Sequence, residues 1–225
     1  MTSESNGTDE SDAKGEPEAK AEPLPPPPAE VGELAEACVA FVERATKMRL
    51  DYTPETLPIL DHYVREARRD ALTKPDVLEL IAAPIGAYVG EVTRRLLPLS
   101  WFAPPSEFRR WRIELEDVFC SMNPIGAAVE ALLLHEAEGW GATFRLRSED
   151  EEFVSAVVAN LPEVSEDEYY APSSRVEMLT IIADALVGRG AAEDQPTLKF
   201  TSADYAGVRA EAIGDELERD RREPS

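Results

Sequence analysis

The sequence predicts an α+β fold: a helix-rich single domain with a small, mainly antiparallel sheet, preceded by an acidic, proline-rich tail. Three observations carry that expectation. Apolar residues recur at three- and four-residue steps over most of the chain. Two short segments alternate strictly between apolar and charged residues. The first 30 residues show neither pattern.

That first segment, residues 1–30, holds eight acids, two lysines and the run PLPPPP. It buries too little apolar surface to offset the entropy of ordering it, so disorder is expected. Pro25 to Pro28 read as a stiff polyproline spacer, with recruitment of a proline-binding module as the alternative. Residues 31–220 then form the domain, long enough to bury a core without disulfides or metals.

The first helix is predicted by Leu34, Cys38, Phe41, Val42, Ala45 and Met48. Thr53 as N-cap and Pro54 at the first helical position open a second, with the stripe Leu57, Leu60, Val64 and Ala67. A near-repeat follows: PIGAYV begins at Pro84 and PIGAAV at Pro124. Asn123 before Pro124 is an N-cap followed by a first-turn proline, and the helix is expected to run through LLLHEA. By the same logic Pro84 starts or kinks the helix carrying Ile85, Tyr88, Val89, Val92 and Leu96. Gly86 and Gly90 share one face of it and allow close backbone approach, and Glu91 with Arg95 makes an i,i+4 pair. Neither glycine has the flanking residues of a phosphate loop or of a membrane dimer motif. The repeat is two helix starts.

Between these helices lies strand chemistry. In RRWRIELED, Trp111, Ile113 and Leu115 alternate with Arg110, Arg112, Glu114 and Glu116, which predicts one buried and one wet face. GATFRLRS repeats the pattern with Phe144 and Leu146 inward, while PLSWF and PTLKFT are weaker strands. Charged residues on the wet face would pair across strands. Two capping boxes, Ser148 with Glu151 and Ser174 with Glu177, announce further helices. The first carries the stripe Phe153, Val154, Val157, Val158 and Leu161, and Gly188 is expected to end the second. A last helix runs from about Ala203 through Tyr205, Val208, Ala212 and Leu217.

Function is approached by exclusion. A formal charge of −22 disfavours nucleic acid and anionic membrane as partners, because both reward basic surfaces. No apolar run approaches the ~18 residues of a membrane span, and the N-terminus has no signal-peptide pattern, so the cytoplasm is expected. Cys38 and Cys120 read as buried thiols. His62 and His135 are the only histidines, and HEAEG places Gly139 where a zinc-protease helix needs its second ligand. No cofactor motif, metal spacing or catalytic residue is predicted.

The most distinctive polar stretch lies before the last long helix. Between Glu149 and Glu168 there are eight acids and no basic residue. Glu166, Asp167 and Glu168 run directly into Tyr169 and Tyr170. Acids steer a basic partner and tyrosines supply anchor area, so these five residues are the predicted partner-binding site. The alternative is a solvated loop whose tyrosines tuck under the domain.

LDYTPETLPILDHYV, then GAYVGEVTRR, then NP before a helix, together resemble an uncharacterised bacterial α+β domain family over residues 50 to about 135. The resemblance implies the fold and no activity. The overall make-up also looks like small regulators that hold a partner enzyme inactive. The expected function is therefore a non-catalytic acidic regulator that masks a basic surface of a protein partner, for instance a hydrolase or protease. The alternatives are a small-molecule enzyme using carboxylates in a cleft and a purely structural subunit.

Overall fold

The computed structural model describes residues 24–194, 196 and 198–207. Helices dominate: α1 (Ala29–Thr46), α2 (Leu57–Thr73), α3 (Pro75–Leu96), α4 (Pro124–Leu133), α5 (Ser148–Ala159), α6 (Glu166–Tyr169) and α7 (Pro172–Ala192). The strands β1 (Leu99–Phe102), β2 (Arg112–Leu115), β3 (Cys120–Met122) and β4 (Arg145–Leu146) form one antiparallel sheet in sequence order. The α+β expectation holds, and the sheet is antiparallel throughout.

One core lies among α1 to α4. Val31, Cys38 and Val42 of α1 meet Leu60 and Val64 of α2, Tyr88 and Val92 of α3, and Leu132 of α4. Leu57 is buried as expected and Ala67 is packed at the edge of this core. Met48, predicted on the first stripe, lies beyond the helix and is exposed. Lys47 takes the left-handed conformation (φ 62°) and ends α1 one residue before it. Thr53 and Pro54 open a 3₁₀ turn, Pro54–Thr56, and α2 follows directly. A second core lies between one face of the sheet and α7, where Ile113, Leu115 and Met122 meet Leu179, Ile182 and Leu186.

Pro75, not Pro84, starts α3. Pro75 sits at the first helical position, where its missing N–H is an orphan anyway, and Pro84 lies inside the helix. Asn123 caps α4 as expected, its Oδ1 accepting from the N–H groups of Ile125 (2.9 Å) and Gly126 (3.2 Å). The helix stops at Leu133, with Leu134 left-handed (φ 56°), so His135 and HEAEG lie in a loop.

The outer face of β2 is not wet. Glu114 is 1% exposed, because the segment after α7 crosses that face. Ser202 donates its hydroxyl to Glu114 Oε2 (2.5 Å), and the Phe200 N–H donates to the Glu116 carbonyl (2.8 Å). Tyr205, in a helical stretch over 202–207, donates to the Leu115 carbonyl (2.7 Å) and stacks on Phe119 (4.3 Å). Glu114 pairs with Arg112 of its own strand (2.6 Å) rather than across strands. The described residues of PTLKFT form no strand, since they are committed to this crossing.

Three helix boundaries differ from the sequence expectation. Ser148 is the first helical residue of α5, with Arg147 before it and no side-chain cap, and Asp150 in the first turn is held from both sides by Arg147 and Arg189. Pro172 opens α7 two residues before Ser174, which is therefore already helical. Gly188 lies inside α7, which runs on to Ala192. At the N-terminus Ala29 and Glu30 already belong to α1, and the Pro25 carbonyl accepts from Arg94 Nη1 (2.9 Å). Pro25 is thus held against α3, as a spacer lying against the domain would be, while Leu24, Pro26 and Pro28 are exposed. The disorder expected for residues 1–23, and the helix positions from Val208 onward, lie outside the described residues.

Candidate functional site

The five acids and tyrosines predicted to bind a partner form α6 and its first following residue. Ser165 and Glu168 make the capping box that starts it. The Ser165 hydroxyl accepts from the Glu168 N–H (3.3 Å), and Glu168 Oε2 accepts from the Ser165 N–H (3.0 Å). The bonds that Glu168 Oε2 accepts from the Ser165 N–H and hydroxyl (2.9 Å) hold its carboxyl below the usual carboxylate range. Sequence reading placed boxes at two other serines and missed this one, although S-x-x-E is legible at 165–168.

One face of α2 clamps the region. Arg68 and Arg65 both reach Asp167, the latter at 3.0 Å, and the hydrogen bond from Arg68 is the main reason its carboxyl titrates low. One helical turn earlier, Asp61 accepts from the Ser173 N–H (3.0 Å) and hydroxyl (2.5 Å). A carboxylate there also complements the positive end of α7. Burial nevertheless pushes the Asp61 carboxyl up. Sequence spacing could not foresee these bonds, which join residues about a hundred positions apart.

The five residues consequently have different surroundings. Glu166 is exposed, Asp167 is occupied by arginines, and Glu168 caps its own helix. Tyr170 is buried at 9% exposure, whereas Tyr169 is 50% exposed. The two rings meet edge to face at 4.9 Å, and the Arg175 guanidinium lies 5.0 Å from the Tyr169 ring. Arg175 is itself buried, paired with the buried Glu130 at 2.7 Å. Its Nε is the one buried side-chain nitrogen or oxygen among the described residues with no hydrogen-bond partner.

Beside Tyr169 opens a groove of about 700 Å³ that the sequence did not reveal. Val154, Ser155 and Val158 of α5 form one wall, and Ser174, Met178 and Ile181 of α7 the other. Phe144 and Leu146 also line it, with Val164 and Tyr169 at the loop that joins the two helices. Its origin is the stripe of α5. Of the five apolar residues at helical spacing there, only Val154 is buried. The groove size is ordinary for a ligand or peptide site.

Groups suited to catalysis are arranged otherwise. Burial pushes the Cys120 thiol up to about 12 and the Cys38 thiol higher still, so neither is a thiolate near neutrality. His135 Nδ1 lies 2.8 Å from the Glu136 carbonyl. Among the described residues no three of His, Cys, Asp and Glu gather as a metal site, and no helix is long and apolar enough to cross a membrane. No protein-family model, curated protein or solved structure matches the chain.

Proposed function

We propose that the chain is an acidic, non-catalytic regulatory protein of the cytoplasm. It binds a basic surface on another protein and holds that partner inactive, as an inhibitor of a hydrolase or protease would. The observation that carries this reading is Tyr169. Its ring is half exposed at the end of the short helix that carries the exposed Glu166 and Glu168, yet it is held in place by Tyr170 and Arg175. A pre-ordered aromatic loses little entropy on contact and so serves as an anchor. The exposed acids around it, in a chain of formal charge −22, accelerate encounter with a basic partner.

The test starts by capturing a partner on the immobilised full chain at low salt and eluting it at high salt, since screening weakens an acid-driven complex. The partner's own activity is then assayed with and without the chain. Suppression by the wild type, and not by Tyr169→Ala, is the expected result. Equal partner activity at saturating chain would sink the regulatory reading.

A further inference from the structure

Resting on that reading, we propose that the groove between α5 and α7 receives an amphipathic helix of the partner, apolar on one face and rich in lysine or arginine on the other. The lining of α5 runs from Glu151 to Ala159, about 12 Å at 1.5 Å per residue, which is roughly two helical turns. On the facing wall, Ser174, Met178 and Ile182 follow at four-residue steps. A helix laid between these walls meets them with apolar anchors at i, i+3 or i+4, and i+7. Val158 and Val164, 37% and 55% exposed, are the side chains it would cover.

Charge selects the flanks of that helix. Glu151 and Glu177 stand on opposite walls, and Glu163 and Glu166 are exposed beyond Val164. Among the described residues Arg175 is the one cation in the lining, and Glu130 already neutralises it. An acidic rim around an apolar trough attracts a cationic amphipathic segment and repels an anionic amphiphile.

Three labelled peptides test the groove by fluorescence anisotropy with the full chain: an amphipathic leucine–lysine helix, its leucine–glutamate counterpart, and the leucine–lysine composition with its spacing scrambled. The amphipathic leucine–lysine peptide should bind, and the other two at least about tenfold more weakly. The double variant Val158→Asn, Val164→Asn should lose about tenfold in affinity while keeping its melting temperature, since both side chains are already exposed. Equal binding of the scrambled or glutamate peptide, or wild-type affinity in the double variant, overturns the proposal. The partner recovered above separates the two ideas. If Tyr169→Ala abolishes its binding while the groove variant binds normally, only the groove proposal fails. If the groove variant loses the partner and Tyr169→Ala does not, the helix proposal stands without the tyrosine anchor.

Discussion

Gly86 lies against the backbone of Ile125: a Cβ built on Gly86 would stand 2.4 Å from Ile125 Cα and 2.7 Å from the Pro124 carbonyl oxygen. The first copy of the PIGA repeat therefore packs directly onto the second, where α3 crosses the start of α4. Main chain cannot yield as a flexible side chain can. Gly86→Ala should destabilise the protein by about 2–3 kcal/mol in urea denaturation, and Gly86→Leu by more. Gly188, with nothing within 4 Å of its built Cβ, is the control. Gly188→Ala should stabilise by about 0.5–1 kcal/mol through helix propensity. Equal effects at both positions would refute the close crossing.

Asn123 ties the start of α4 to the segment at Phe108 with one side chain. Besides capping α4, its Nδ2 donates to the Phe108 carbonyl (2.9 Å). Asn123→Ala should cost about 1–2 kcal/mol. Asn123→Asp keeps the cap but loses the donor to Phe108, so it should recover only part of that loss. Full recovery in the aspartate variant would show that the Phe108 bond contributes nothing.

Glu91 is buried, and its carboxylate accepts from Arg94, Arg95 and the Trp101 indole (2.9 Å). Burial pushes its carboxyl up, but the bonds from Arg94 and Trp101 and the charges of both arginines outweigh this and leave it low. A carboxyl whose folded-state pKa is depressed stabilises the protein above the ordinary value of about 4.3, and that gain is lost as pH falls through the folded value. Glu91→Gln should cost about 3 kcal/mol at neutral pH, since Arg94 is left buried beside a neutral partner. The gap from wild type should close as the pH drops below about 4. A gap that stays constant down to acid unfolding would mean the charge of Glu91 is irrelevant.

The docked N-terminal segment can be weighed by truncation. A chain beginning at Ala29 loses the Pro25 carbonyl that Arg94 uses, and should be about 1–2 kcal/mol less stable than one beginning at Leu24. Matching melting curves for the two would make the Pro25 contact incidental.

Charge reversal separates binding from architecture at α6. Glu166→Lys should slow partner association and flatten its salt dependence without moving the melting temperature. Asp167→Lys should also destabilise the fold, by about 1 kcal/mol, because Arg65 and Arg68 lose their acceptor. Tyr169→Ala should act mainly on dissociation, by about 2 kcal/mol. Surface-captured kinetics read all three, and wild-type rates in Glu166→Lys and Tyr169→Ala would place the interface elsewhere.

Local rules made much of this chain legible. The periodicity of α1 to α4, the alternation in β2, the Asn123 cap and the packing role of Gly86 all depend on neighbours within a turn or a strand, or on a residue too small for anything but close contact. The same rules left Pro84 open as a start or a kink, because nothing in PIGA says whether a helix already precedes it; Pro75 decides that. Tertiary structure alone decided the rest. Glu114 alternates like a solvent-facing strand residue, yet the returning segment at Ser202 to Tyr205 buries it. Asp167 looks like one acid in a run, yet α2 brings it two arginines. The α5 stripe looks like core, yet Phe153 and Val154 alone pack on the second core, while Val158 and Leu161 face the groove beside α7. Periodicity records which face of an element is apolar, whereas burial depends on what the rest of the chain brings against that face.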